Sequence, residues 1–281
     1  MKTADHTNPV VSRALEKYRA SEYAISVTDF FSPGEKLEIY KELCSLPGNG
    51  NTRCFFWGGC RGAERCAAVF LPEWYMPEGV PQHRMPGDTE RTEAFSSLLA
   101  GNSEISAEIP IKKIKISGSG FKKLTHRDYM GSILSLGIDR SVIGDIAVVS
   151  DSEAVVFVAE RISGFIVSEL TKIGRDGVVC ISSEADPVWE IPRRYEDFSL
   201  VVSSPRIDGI VKSITGLSRE KSADLVRAGL VELSYTATDN VSAGVSEGDI
   251  VSIRGYGKYL IGSVSGETKS GRLRISCKKY L

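Results

Sequence analysis

The sequence predicts an α+β protein in three parts: an N-terminal α/β unit, a central split-βαβ (ferredoxin-like) domain, and a C-terminal pair of short helices leading into a small sheet. Three observations carry this reading. The chain has 281 residues, about twice the usual domain length of roughly 100–150 residues. Its hydrophobic fraction of 42% and charged fraction of 25% are those of a folded chain rather than a disordered one. The periodic segments also change order, from helices followed by two strands, to β-α-β-β-α-β, to α-α followed by strands. The boundaries implied are 1–86, 87–185, a linker at 186–199, and 200–281.

In the first part, residues 10–24 place apolar side chains at helical spacing. A second helix follows Ser32-Pro33, with Ser32 at the N-cap, Pro33 at the first helical position and Glu35 at the capping-box position. It is expected to end near Leu46, because Pro47-Gly48-Asn49-Gly50-Asn51 is a cluster of breakers. Residues 53–57 and 66–71 read as strands around the turn Gly58-Gly59-Cys60-Arg61-Gly62, and a Pro-rich stretch from Pro72 to Pro86 closes the unit. A hairpin is preferred there to a phosphate cradle, since no Gly-Lys-Ser/Thr follows.

The central part starts with a helix near 89–100, a strand at 109–116 and the glycine-rich bend Ser117-Gly118-Ser119-Gly120. Helix 125–136 opens on Thr125 with Asp128 three residues on, a capping-box variant. Strands 145–149 and 154–158, helix 159–173 and strand 177–181 complete the pattern, which RNA-recognition modules (RRM) share with many unrelated domains. Asp186–Arg194, with Pro187 and Pro192, reads as linker. In the last part, Ile207, Ile210, Val211 and Ile214 fall at i, i+3, i+4, i+7. Gly216 breaks that helix, Ser218 caps the next and Gly229 stops it. Strands follow at 230–235, 250–254, 259–264 and 272–276.

With 35 Lys+Arg against 36 Asp+Glu, the chain carries no overall basic coat. The charge is nevertheless uneven. Residues 199–281 hold 12 basic and 8 acidic residues, a net of +4, whereas residues 1–198 hold 23 and 28, a net of −5. Within the acidic part, Lys112, Lys113, Lys115, Lys122, Lys123 and Arg127 form a run with no acid between Glu108 and Asp128. Together with His126 this island is a candidate second nucleic-acid surface. His126 reads equally as a packing or capping residue.

The N-terminus shows no apolar stretch of signal-peptide type, and the longest apolar run, Ala154–Ala159, is far below the ~20 residues of a membrane span. A cytoplasmic protein with free thiols is expected. Cys54, Cys60 and Cys66 are spaced more widely than compact zinc clips, so no metal and no cofactor are expected. Only three histidines, His6, His83 and His126, are present to supply acid–base chemistry. The Ser117–Gly120 bend follows a strand but precedes a basic stretch, and the βαβ crossovers that a methyltransferase would need are missing. Arg140 with Asp145 reads as a structural ion pair, and Glu64 and Arg65 read as another in preference to contacts with RNA or a protein partner.

The C-terminal helix pair concentrates Arg206, Lys212, Arg219, Lys221 and Arg227. Arg219 and Lys221 lie in the first turn after the Ser218 cap, where free backbone N–H groups already favour an anion. The spacing Arg206-x-Asp208, Ser218-Arg219, Gly229-x-Val231, followed by Gly248-Asp249-Ile250-Val251 and Gly257-Lys258-Tyr259, resembles the S-four (alpha-L) RNA-binding domain. The resemblance implies that Arg206, Ser218, Arg219 and Lys221 face RNA, with Arg227, Arg254 and Lys258 as further candidates. Glu232 and Ser234 stand where the family often has a basic residue and an Asn-Gly turn.

Four further blocks resemble the YlmH family of bacterial S-four proteins, in the family's order: Thr28–Pro33, Gly58–Arg65, Leu124–Gly131 and Leu136–Ile146. This resemblance implies a non-enzymatic protein that binds structured rRNA or tRNA on the large ribosomal subunit carrying peptidyl-tRNA. Its genes often lie near those of division proteins. An RNA-modifying enzyme with an unrecognised centre and a cell-division scaffold are the alternative readings.

Overall fold

The structure is a computed structural model in which residues 8–46, 53–72, 74–75 and 89–281 are described. The breaker cluster at 47–51, most of the Pro72–Pro86 stretch, the boundary at residue 86, and His6 and His83 lie outside the described residues. Contacts divide the chain into two units, one running to Pro192 and one spanning Arg193–Leu281.

In the first unit, helix α1 (Pro9–Ala20) ends four residues earlier than its apolar spacing predicts, because the Ser21 hydroxyl and N–H both turn back to the Tyr18 carbonyl. Strand β1 (Ser26–Phe31) follows, then helix α2 (Pro33–Ser45) with the expected Ser32/Glu35 capping box. Strands β2 (Cys54–Trp57) and β3 (Cys66–Phe70) form the predicted hairpin. β3 is the centre of a three-stranded sheet of order β1-β3-β2. It is buried on both faces. Ala68 and Phe70 pack beneath α1 and α2, while Ala67 and Val69 face the opposite way.

Helices α3 (Thr89–Gly101) and α4 (Ser103–Glu108) lead into β4 (Ile111–Gly118), α5 (His126–Leu134), β5 (Ile143–Val148), β6 (Glu153–Ala159), α6 (Glu160–Glu169), β7 (Lys172–Ile173) and β8 (Asp176–Glu184). The sheet runs β5-β6-β4-β8-β7 with every pairing antiparallel. Its first four strands therefore follow the split-βαβ order. Helix α6 is shorter than predicted. Leu170 leaves helical geometry, and Gly174, at φ 60°, turns Lys172–Ile173 back to pair with β8. Alternation divides this sheet's two faces. Ile114, Ile116, Val156 and Val158 pack under α5 and α6, and Ile111, Val155 and Phe157 point the other way.

That second face is not free. Ile111, Val155 and Phe157 share one core with Phe55, Trp57, Phe95 and Leu99 of the preceding segment. Gly59, at φ 96°, makes the contact possible, since a Cβ there would sit 2.4 Å from Phe157 Cδ1. The residues read as linker take part as well. Asp186 N–H donates to the Gly59 carbonyl, Arg61 N–H donates to the Trp189 carbonyl at 2.9 Å, and the Trp189 ring lies 5.7 Å from Phe157. The contacts thus draw fewer boundaries than composition does. Prolines mark breaks in periodicity, but they do not show which apolar faces remain uncovered.

Arg140 and Asp145 do not pair with each other as read. Asp145 accepts the backbone N–H groups of Glu64 at 2.6 Å and Arg65 at 3.3 Å, and Arg140 donates to the carbonyls of Ile143 and Gly144. Arg65 likewise donates to carbonyls, those of Ile143, Phe30 and Arg140, not to Glu64.

In the second unit, strand β9 (Tyr195–Val202) occupies the rest of the segment read as linker and pairs along its whole length with the last strand. Helices α7 (Ile207–Thr215) and α8 (Arg219–Arg227) come next, then β10 (Val231–Leu233), β11 (Thr236–Ala237), β12 (Ile250–Ile253), β13 (Gly257–Glu267) and β14 (Leu273–Tyr280). The six-stranded sheet has the order β11-β10-β12-β13-β14-β9. Ile207, Ile210 and Val211 of α7 are fully buried against it, with Val226 of α8. Gly216 ends α7 in the left-handed region, as expected.

The glycine requirement is testable. Gly59→Ala adds a Cβ where Phe157 sits and strains a positive φ, so urea denaturation should show a loss of about 2–4 kcal/mol. A loss below about 0.5 kcal/mol would contradict the shared core.

Candidate nucleic-acid interface

Helix α7 begins at Arg206 and buries an acid in its first turn. Asp208 is 4% exposed and sits between two arginines. Its Oδ1 lies 3.3 Å from Arg206 Nε, and its Oδ2 lies 3.0 Å from both Nε and Nη2 of Arg219. Arg206 is held from the other side by a 2.7 Å hydrogen bond from Nη2 to Ser242 Oγ. The Arg219 side chain remains 66% exposed despite this tether. One carboxylate thus brings together two guanidiniums that are thirteen positions apart in the chain and fixes them at the start of α8. With the carboxylate buried and the Arg219 side chain largely exposed, the cost of burying the charge offsets much of the attraction. The effect of the pairing is orientation.

The Ser218 hydroxyl accepts from Lys221 N–H at 3.3 Å, so it is the cap of α8. Lys212, Lys221 and Arg254 are exposed. Arg227 is tied to Asp224 on its own helix at 2.9 Å. Lys258 is engaged by aromatic rings, with Nζ 4.6 Å from the Tyr235 centroid and 4.8 Å from that of Tyr280. Ser234 and Tyr235 take positive φ, and Ser234 Oγ donates to Asp249 Oδ1 at 2.7 Å. The turn with Ser234 where Asn-Gly would stand is therefore held by side chains instead of by glycine. The structure brings Arg206, Ser218, Arg219 and Lys221 together around one helix start. Arg227, Arg254 and Lys258 lie apart from that cluster in their contacts.

The central basic island differs in kind. Lys112 pairs with Glu160 and Glu184, Lys113 with Asp186, Lys115 with Glu153, Lys122 with Asp128 and Lys123 with Asp151. The run lacks acids in sequence because its partners arrive from β6, β8, the first turns of α5 and α6, and neighbouring loops. Arg127 is exposed. His126 has its pKa lowered, first by desolvation and then by the nearby charge of Arg140, so it adds no positive charge at neutral pH.

An RRM stacks bases on aromatic residues of its open sheet face. Here the aromatic on that face, Phe157, is fully buried. The open half of the face carries Val179 and Ile181, 64% and 61% exposed, and Phe121 stands 81% exposed beside Lys122 and Lys123. Sequence reading missed these three. The Phe-Lys-Lys run after the glycine-rich bend was the available signal for Phe121.

Among the described residues no group of three or more His, Cys, Asp or Glu is arranged to hold a metal ion. Burial pushes the Cys54 thiol up and the Cys66 thiol up to about 11, so neither is a ready thiolate ligand. No described helix is long and apolar enough to cross a membrane.

The central domain has a match in a known family. Residues 106–186 match the family model described as "Putative RNA-binding domain in YlmH". The chain therefore carries a YlmH-type RNA-binding domain. It is 28% identical over 275 residues to a Bacillus subtilis (strain 168) protein named "Ribosome-associated protein quality control protein P2", covering 96% of this chain and 93% of that one. A solved structure, "Cell division protein ylmH from Streptococcus pneumoniae", aligns at 22% identity with a TM-score of 0.41, over 65% of this chain and 94% of that one. The family whose model matches the central domain is the one that the sequence blocks resemble.

The lowered pKa of His126 sets a direction of pH dependence. Between its folded value and the ordinary 6.5 the unfolded chain binds the proton preferentially. The contribution of His126 to stability is thus complete above 6.5 and is lost as pH falls through the folded value. An NMR titration of the His126 ring should give a midpoint below 6.5, and Arg140→Gln should move it upward. A midpoint at or above 6.5 would refute this environment.

Proposed function

We propose that this chain is a non-enzymatic, cytoplasmic RNA-binding factor whose C-terminal unit is an S-four-type domain. It grips structured rRNA or tRNA through the helix start at Ser218–Lys221, on the large ribosomal subunit carrying peptidyl-tRNA. The observation that carries this reading is the Asp208 clamp. It holds two arginine forks beside the free N–H groups of α8, an arrangement that suits phosphate oxygens in both charge and geometry. The family of the central domain and the printed name of the Bacillus relative support RNA and the ribosome as partners. Contacts of this kind read backbone and shape, not sequence. The seven neutralised or aromatic-bound side chains elsewhere leave a supporting role for Arg127 and Phe121 on the central domain.

Two measurements test the reading. If about 4–6 phosphates are neutralised, log Kobs against log[salt] should fall with a slope near −3 to −5. Arg219→Glu would place a second carboxylate beside buried Asp208, so Arg219→Gln is the cleaner probe. Combined with Lys221→Gln it should weaken binding to a folded RNA about tenfold or more and make the slope shallower by about 1–2. An unchanged affinity and slope in the folded double variant would sink the assignment.

A further inference from the structure

A cleft of about 790 Å³ opens between α1, β1 and the turn before β5, within the first unit and apart from the clamp just described. This volume lies in the range of small-molecule sites, roughly 300–1,000 Å³. One wall is apolar, formed by Val27, Phe30 and Phe31. The other carries Arg65 and Arg140.

These two arginines are unusual in what they touch. Both donate to the same carbonyl, that of Ile143, from Arg65 Nε at 3.0 Å and Arg140 Nη1 at 2.5 Å, which sets the guanidiniums side by side. Their remaining bonds go to the carbonyls of Phe30, Arg140 and Gly144, and neither forms an ion pair with a carboxylate among the described residues. The neighbouring acids make their hydrogen bonds and ion pairs with other groups. Asp29 pairs with Arg161 at 2.6 Å, Glu35 accepts from Ser32 N and Oγ at 2.7 Å, and Asp145 accepts backbone N–H groups. Burial lowers the pKa of both arginines, and the charge of Arg65 contributes to bringing Arg140 to about 10. The charges of Glu35 and Asp145 act on Arg65, and that of Asp145 on Arg140, but they do not outweigh burial, so two part-buried like charges stand side by side. Arg65 Nη1 and Arg140 Nε and Nη2 carry N–H groups that these bonds leave over. Residues from the segments Thr28–Pro33, Gly58–Arg65 and Leu136–Ile146 each line this one cleft.

We propose that this cleft is a nucleotide-phosphate site, in which Arg65 and Arg140 grip a phosphate and the wall of Val27, Phe30 and Phe31 receives the rest of the nucleotide. Guanidinium forks match phosphate oxygens through paired N–H donors. The cleft is larger than a bare oxyanion needs. Arg13 and Lys17, exposed on α1 at its rim, add positive charge there, partly offset by Glu16 and Asp139 of the same lining. The phosphate belongs either to a free mononucleotide or to the 5′-phosphorylated terminal nucleotide of an RNA.

Calorimetric titration of the full chain with 5′-AMP, adenosine and inorganic phosphate, and with an RNA oligonucleotide bearing 5′-phosphate or 5′-hydroxyl, tests this at constant ionic strength. Binding of AMP with adenosine silent assigns the site to a free nucleotide. Preference for the 5′-phosphorylated oligonucleotide with AMP silent assigns it to an RNA end. In either case Arg140→Lys should weaken binding about tenfold, and Arg13→Ala, a change at an exposed helix position that preserves the fold, should weaken it measurably. Arg219→Gln should leave it unchanged, which separates this site from the C-terminal grip. The proposal is overturned if neither AMP nor 5′-phosphorylated RNA is distinguished from its unphosphorylated counterpart. It is equally overturned if binding is the same in Arg13→Ala and in Arg140→Lys, with melting curves verifying that each is folded.

Discussion

The arrangement of the basic helix start in the second unit depends on one buried carboxylate. Asp208 is placed in the first turn of α7 by the same alternation that sinks Ile207, Ile210 and Val211 into the sheet. It has little access to water, so its charge must be met by protein, and Arg206 and Arg219 meet it from either side. In doing so they lose freedom of orientation but keep exposed N–H groups. An arginine already fixed in place sacrifices less entropy when a phosphate arrives than a solvated lysine does. The helix start adds donors whose direction is set by the Ser218 cap. Removing the acid would leave the arginines present and the positive charge larger, yet the site less organised.

The central island shows the opposite use of the same residue types. Lys112, Lys113 and Lys115 stand on β4 and Lys122 and Lys123 in the loop after it, and each meets an acid from a neighbouring element, so the charge is largely cancelled within the fold. The sheet face that bears Lys113 and Lys115 is half covered, because Phe157 serves the core shared with the N-terminal segment. A positive run in sequence and a positive surface are therefore different things here. The near balance of 35 basic and 36 acidic residues is resolved locally, pair by pair, and attraction is left to the few positions where an arginine outlasts its partner.

Local signals were legible. The capping boxes at Ser32/Glu35 and Thr125/Asp128 appear as read, as do the glycine stops at Gly216 and Gly229, and the hairpin around Gly58–Gly62. These depend on residues within a few positions of one another. β1 was missed because Ser26-Val27-Thr28-Asp29-Phe30-Phe31 neither alternates cleanly nor forms an apolar run, and it is a strand only because β3 offers an edge. β9 was hidden in a segment flanked by prolines, and its pairing with β14 spans most of the second unit. The site divides in the same way. Arg206, Ser218, Arg219 and Lys221 were visible through a spacing pattern. The acids opposite Lys112–Lys123 and the convergence of Arg65 on Arg140 arise from contacts across long stretches of chain, which no local window reveals.

The most direct test of the account is sedimentation of the native protein through gradients of separated ribosomal subunits at low and at high salt. Attraction through a few oriented arginines predicts co-migration with the large subunit at low salt and release as salt rises. Absence from the large-subunit fraction at low salt would contradict the account, as would retention that does not respond to salt.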